Sequence, residues 1–74
     1  MQNQLTDFMP AMKDKGLVKL LLKNGWTLKG TAGSHYRLEK NGQLEVVPVR
    51  GKDMKIGLLM KILERTGLKE EGGF

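Results

Sequence analysis

His35-Tyr36-Arg37-Leu38-Glu39-Lys40-Asn41-Gly42-Gln43-Leu44-Glu45-Val46-Val47-Pro48-Val49 is the stretch on which the fold turns. Asn41-Gly42 lies between two runs of strand-like sequence. A type I′ turn needs positive φ at both central residues, and Asn-Gly meets that need, so the pair predicts a tight hairpin. In the first run Tyr36 and Leu38 alternate with His35, Arg37 and Glu39, which predicts a strand over residues 35–40 with two unlike faces. If Tyr36 and Leu38 face the interior, His35 and Arg37 face solvent. The returning strand covers about residues 43–49. Its inward set is open between Leu44 with Val46 and Val47 with Val49. Pro48 has no N–H for a ladder, which predicts an edge strand.

Outward from the hairpin, Trp26 to Lys29 reads as a further strand, with Trp26 and Leu28 on one face. Gly30-Thr31-Ala32-Gly33 then breaks the pattern. Before it, Leu17, Val18, Leu20 and Leu21 recur at helical spacing while Lys15, Lys19 and Lys23 take the other face. Asp14 is the expected N-cap, and Asn24-Gly25 supplies the C-terminal stop. Beyond the hairpin, Arg50-Gly51-Lys52-Asp53-Met54-Lys55 is a basic loop. Ile56, Leu59, Ile62 and Leu63 then mark a helix over about residues 57–65, closed by Gly67 with Leu68 available to pack beneath the cap. The order helix, three antiparallel strands, helix predicts an α+β fold with two helices on one face of the sheet and water on the other.

Seventy-four residues make one small domain, which we expect over residues 12–68. Residues 1–11 read as an N-terminal extension, with Leu5, Phe8 and Met9 in a short amphipathic turn stopped by Pro10. Met12 is a plausible natural start. Residues 69–74 read as a flexible tail. With no cysteine there is no disulfide framework, thiolate chemistry or Cys-based zinc site. One histidine and scattered carboxylates give no recognisable ligand spacing, so no metal or other cofactor is expected. No apolar run approaches a membrane span, and the first residues lack the pattern of a secretory signal. A cytoplasmic protein without a membrane partner is therefore expected.

Thirteen Lys and Arg stand against eight Asp and Glu. Asp7 is the one charge before Lys13, and Glu70 and Glu71 lie in the tail, so the middle of the chain is more basic than the whole. Such a field favours a polyanion, nucleic acid first or an acidic protein. The chain's single histidine, His35, lies in Gly33-Ser34-His35-Tyr36 beside this charge. Histidine is the side chain that ordinarily changes charge between pH 5 and 8, so His35 is the candidate for acid–base work, although a lone histidine beside a turn is also a common ordinary polar residue.

Leu20-Leu21-Leu22-Lys23-Asn24-Gly25-Trp26, Gly33-Ser34-His35, Val46-Val47-Pro48-Val49, Lys52-Asp53-Met54-Lys55-Ile56-Gly57-Leu58-Leu59, Ile62-Leu63 and Gly67-Leu68 follow one another as in the HicA toxin family, which the chain resembles over about residues 12–68. The resemblance implies a fold like the double-stranded RNA-binding domain and an mRNA-cleaving toxin restrained by a HicB-type antitoxin. It implies His35 as the catalytic residue. Two positions depart from many relatives: Tyr36 stands where a second histidine is common, and Arg50 where another is.

RNA cleavage without metal needs a base for the 2′-hydroxyl proton, positive charge at the phosphate and an acid for the 5′-oxygen. His35 suits the base or the acid. Tyr36, a lysine or solvent is open for the other role. Lys29, Ser34, Arg37, Lys40, Arg50, Lys52 and Lys55 are the candidate RNA contacts, with Arg37, on the same strand face as His35, the first choice for the phosphate. Two other readings stand beside the enzyme: a non-catalytic RNA-binding module that docks by shape and charge, and an adaptor whose basic face meets an acidic protein.

Overall fold

The computed structural model describes residues 11–68. Residues 1–10 of the expected extension, including the turn at Leu5, Phe8 and Met9, and the expected tail 69–74 lie outside the described residues. The order is α1 (Asp14–Lys23), β1 (Thr27–Ala32), β2 (His35–Lys40), β3 (Gln43–Pro48) and α2 (Ile56–Thr66). The three strands form one antiparallel sheet in the order β1-β2-β3. Helix–strand–strand–strand–helix was the layout read from the sequence.

The Asn41-Gly42 turn fixes the register of the hairpin. Both residues have positive φ, 52° and 83°. Lys40 pairs with Gln43, and the ladder then sets Leu38 opposite Glu45, Tyr36 opposite Val47 and His35 opposite Pro48. This settles the face of β3. Opposed residues share a side of the sheet, so Glu45 and Val47 join Leu38 on the helix side, with Val49 following in phase. Leu38 and Val47 are fully buried, Glu45 is 3% exposed, and Leu44 and Val46 lie exposed on the open face.

The first strand runs three residues further than its sequence pattern. Glycine and small residues at 30–32 weaken a strand, but pairing with β2 overrides that preference. A register shift between Leu28 and Gly30 absorbs Lys29 as an extra residue. Leu28 pairs with Leu38 yet stays 40% exposed at the sheet edge, while Trp26, just before the strand, is buried.

The helices cover the Leu38 face. Leu17, Val18 and Leu21 from α1 meet Leu59, Ile62 and Leu63 from α2 in one core with Trp26, Val47, Val49, Met54 and Leu68. Each fully buried leucine or isoleucine contributes roughly 1.5–3 kcal/mol relative to its exposed state. Gly25 has φ 93° beyond the end of α1, and Gly67, at φ 80°, caps α2 with Leu68 buried beyond it. One cap differs from expectation. Lys13, not Asp14, is the N-cap of α1; Asp14 is its first helical residue, and its carboxylate takes the first-turn N–H of Lys15 on one oxygen and the loop at residues 50–52 on the other.

Candidate active site

Asp14 sets the shape of the basic loop. Its Oδ2 accepts the backbone N–H of Arg50 at 2.6 Å, Gly51 at 3.0 Å and Lys52 at 3.2 Å, and its Oδ1 accepts that of Lys15 at 2.6 Å. The Asp14 N–H donates to the Lys52 carbonyl at 2.9 Å, and the Met54 N–H to the Met12 carbonyl at 2.8 Å. Lys13 and Asp53 form an isolated antiparallel bridge. Three consecutive N–H groups thus converge on one carboxylate oxygen, with Gly51 at φ 79°. Alanine in that region would be strained. Asp14 is only 2% exposed. Burial pushes its pKa up, but the backbone donors from Arg50, Lys52, Lys15 and Gly51 outweigh burial and hold it below its ordinary value.

The residue leading into the loop is tied to the turn before His35. The Val49 N–H donates to the Ser34 carbonyl at 2.6 Å. Ser34 is therefore placed through its backbone, one residue before His35. His35 begins β2 on the open face and is exposed. A concave pocket of about 290 Å³ forms where β2 begins, β3 ends and α2 starts. His35, Asp14, Arg50, Lys52 and Lys55 are polar lining residues, and Pro48, Met54 and Leu58 apolar ones. Among the described residues, Arg50, Lys52 and Lys55 belong to no ion pair. Asp53, also at the pocket, lies 3.6 Å from Lys13 in an exposed pair.

Four sequence candidates therefore meet at one concavity: His35, Arg50, Lys52 and Lys55. The others are distributed differently. Arg37 is exposed on the open face, two residues or about 7 Å along the strand from His35, outside the pocket lining. Lys29 lies 3.5 Å from Glu39 in an exposed ion pair. Lys40, at the opposite end of β2, points to the helix side and donates to the Asn24 carbonyl at 2.8 Å. Its strand position is about 17 Å from that of His35. Tyr36 also turns to the helix side and packs against the core, which removes it as a partner for His35 in proton transfer. Among the described residues no group of three or more His, Cys, Asp or Glu side chains is placed to hold a metal ion.

Two elements of the candidate site escaped the sequence reading. Asp14 carried a signal, but its local meaning, a helix cap, hid a partner 36 residues away. The apolar lining of the pocket had none, because Pro48, Met54 and Leu58 resemble ordinary strand-end and core residues.

The class so defined is a small two-layer α+β domain in which an exposed histidine and three cations, outside any ion pair among the described residues, line one pocket. The family model for the HicA toxin of bacterial toxin–antitoxin systems matches residues 15–68. The chain belongs to the HicA toxin family. Neither the curated proteins nor the solved structures give a significant match.

Proposed function

We propose that this toxin binds and cleaves mRNA in the cytoplasm without a metal ion, that His35 is its general acid or base, and that a HicB-type antitoxin neutralises it. The observation that carries the reading is the meeting of an exposed imidazole with Arg50, Lys52 and Lys55 at one pocket. Cleavage by the neighbouring 2′-hydroxyl needs both kinds of group. The imidazole moves a proton, and the cations offset charge that builds on the phosphate in the transition state. Arg37 extends the basic surface along the open face, where the RNA leaves the pocket. The antitoxin acts by covering His35 and this face.

The test is expression of the wild-type chain and of His35→Ala and His35→Gln, with growth and cleavage of mixed RNA in EDTA as readouts. Both variants are expected to fold, as judged by circular dichroism, to retain salt-sensitive RNA binding, and to lose toxicity and cleavage. Undiminished cleavage by folded His35→Ala would remove the catalytic assignment. RNA binding without cleavage by the wild-type chain would turn the reading to a non-catalytic binding module.

A further inference from the structure

We infer that the pocket beside His35 is a nucleotide subsite that takes one unpaired base against Pro48, Met54 and Leu58. This deepens the ribonuclease reading and rests on it for the position of the cut. The lining is mixed: Pro48, Met54 and Leu58 are apolar and largely sheltered, while Arg50, Lys52, Lys55 and the His35 imidazole bring cations and a proton carrier, beside Asp14, whose carboxylate is taken by backbone donors, and Asp53, which pairs with Lys13. That mixture matches a nucleotide, whose base has an apolar face and whose phosphates are anionic. At about 290 Å³ the space lies at the lower bound of small-ligand pockets, which begin at about 300 Å³. It has room for one nucleotide but not for a stacked pair of strands.

The way the loop is held decides how the phosphate is met. The N–H groups of Arg50, Gly51 and Lys52 are already given to Asp14. They are not available as an amide cradle, so the phosphate falls to the side chains of Arg50, Lys52 and Lys55 at the rim. These hold the backbone while the base goes inward.

The chemistry asks for the same geometry. An RNA helix holds each 2′-oxygen off the line of the neighbouring P–O5′ bond, and in-line attack requires the nucleotide to leave the stack. A duplex can offer phosphates to the rim but keeps its bases inside. A base drawn into the pocket is unstacked by its own binding, as in enzymes that extrude a nucleotide to reach it. The sequence resemblance to a duplex-binding fold therefore does not carry over to the substrate. The cut falls at unpaired RNA, next to the recessed base.

The experiment uses one RNA hairpin with an unpaired loop of mixed sequence, the same sequence closed as a duplex, and a set in which each loop nucleotide in turn is an abasic riboside. The abasic residue keeps the 2′-hydroxyl and both phosphates. Cleavage is read with the wild-type chain and affinity with His35→Ala. Cuts are expected in the loop and not in the duplex, with affinity falling roughly tenfold or more at one abasic position, the size of a lost base-stacking contact. Leu58→Ala should flatten that position dependence while leaving the salt dependence of binding unchanged. Equal affinity at every abasic position, or equal cutting of the duplex, overturns the subsite. If no RNA is cut but one abasic position still loses affinity, the subsite stands and the ribonuclease reading falls. If RNA is cut with no abasic effect, the reverse holds.

Discussion

Among the described residues two carboxylates are buried, and they are satisfied in different ways. Asp14, at the start of α1, is held by four neutral backbone donors. Glu45, on the helix side of β3, is held by side chains: Arg65 Nε and Nη2 donate at 3.0 and 2.9 Å, and Gln43 Nε2 at 3.1 Å. Backbone donors leave the positive side chains of the same segment free to project outward. A guanidinium donor is consumed by the pair it makes. The first arrangement lies at the candidate site, and the second begins three residues, or about 10 Å, back along β3 from the pocket residue Pro48. Charge at the site is therefore available to a ligand because the acid beneath it takes only peptide N–H groups.

Replacement of Asp14 by alanine should show the largest effect. The variant leaves the Arg50, Gly51 and Lys52 N–H groups without their acceptor, so the loop loses its defined shape and carries its cations away from His35. Misplacement of binding groups by about an ångström can cost on the order of a hundredfold in rate. RNA cleavage should fall by that order, with rapid hydrogen exchange at those three amides. Asp14→Asn should also fail, since its NH₂ end meets donors with a donor. Wild-type cleavage in a folded Asp14→Ala chain would break the link between this carboxylate and the site.

Arg65→Ala should be selective in the opposite sense. Glu45, 3% exposed in the pair, loses its cation, while Arg65 is itself half in water, so the loss is discounted to about 1–3 kcal/mol. For a domain of this size, each kcal/mol is roughly 4–8 °C in Tm. Urea melts should show the loss, and cleavage at a temperature where the variant is folded should be unchanged. A fall in cleavage would mean that the two ends of the sheet are coupled.

Acid should weaken both anchors. Burial raises the Glu45 pKa, but hydrogen bonds from Arg65 and Gln43, with the guanidinium charge, outweigh it and leave the group below its ordinary 4.5. Asp14 likewise lies below its ordinary 3.8. The unfolded chain therefore takes up protons first as pH falls. The stabilisation is complete above the ordinary carboxylate range, declines as pH drops through it, and is gone below the lower folded values. The urea midpoint should be flat from pH 7 to about 5 and fall towards pH 3. Glu45→Gln and Asp14→Asn should each shallow that fall, and a slope unchanged in both would place the acid sensitivity elsewhere.

The same contrast explains what could be read from the sequence. Element order, the Asn41-Gly42 turn and the leucine faces of both helices are local patterns, and each was legible. So was the exposure of His35, which follows from alternation with Leu38. The pattern does not decide the inward face of β3, because both candidate sets contain apolar residues. The two-residue turn determines it, but only if Glu45 is accepted as a buried residue, and its partner Arg65 lies 20 residues away. Asp14 misled in the same way. An aspartate before a leucine stripe has a local use at the helix start, which the Lys15 N–H meets, while three of its four donors come from a distant loop. The gathering of Arg50, Lys52 and Lys55 around His35, and the separation of Lys40 from them, depend on contacts between elements that spacing does not encode.

The smallest effects sharpen the contrast most, because two glycines form a matched pair. Gly51 and Gly67 have φ 79° and 80°, and a Cβ at either would meet nothing within 4 Å. Alanine at each should therefore cost at most the conformational penalty, roughly 1–2 kcal/mol, measurable as a fall in the urea midpoint. Cleavage should distinguish them. Gly67 caps α2 away from the pocket, and its alanine variant should cleave as wild type. At Gly51 the strain relaxes by rotating φ, which tilts the Gly51 and Lys52 N–H groups off the Asp14 carboxylate and shifts the side chains between them. A several-fold loss of cleavage in Gly51→Ala alone would follow from that movement. Equal cleavage by both variants would show that the Asp14 hydrogen bonds hold the loop against the strain, with the full penalty then taken in stability.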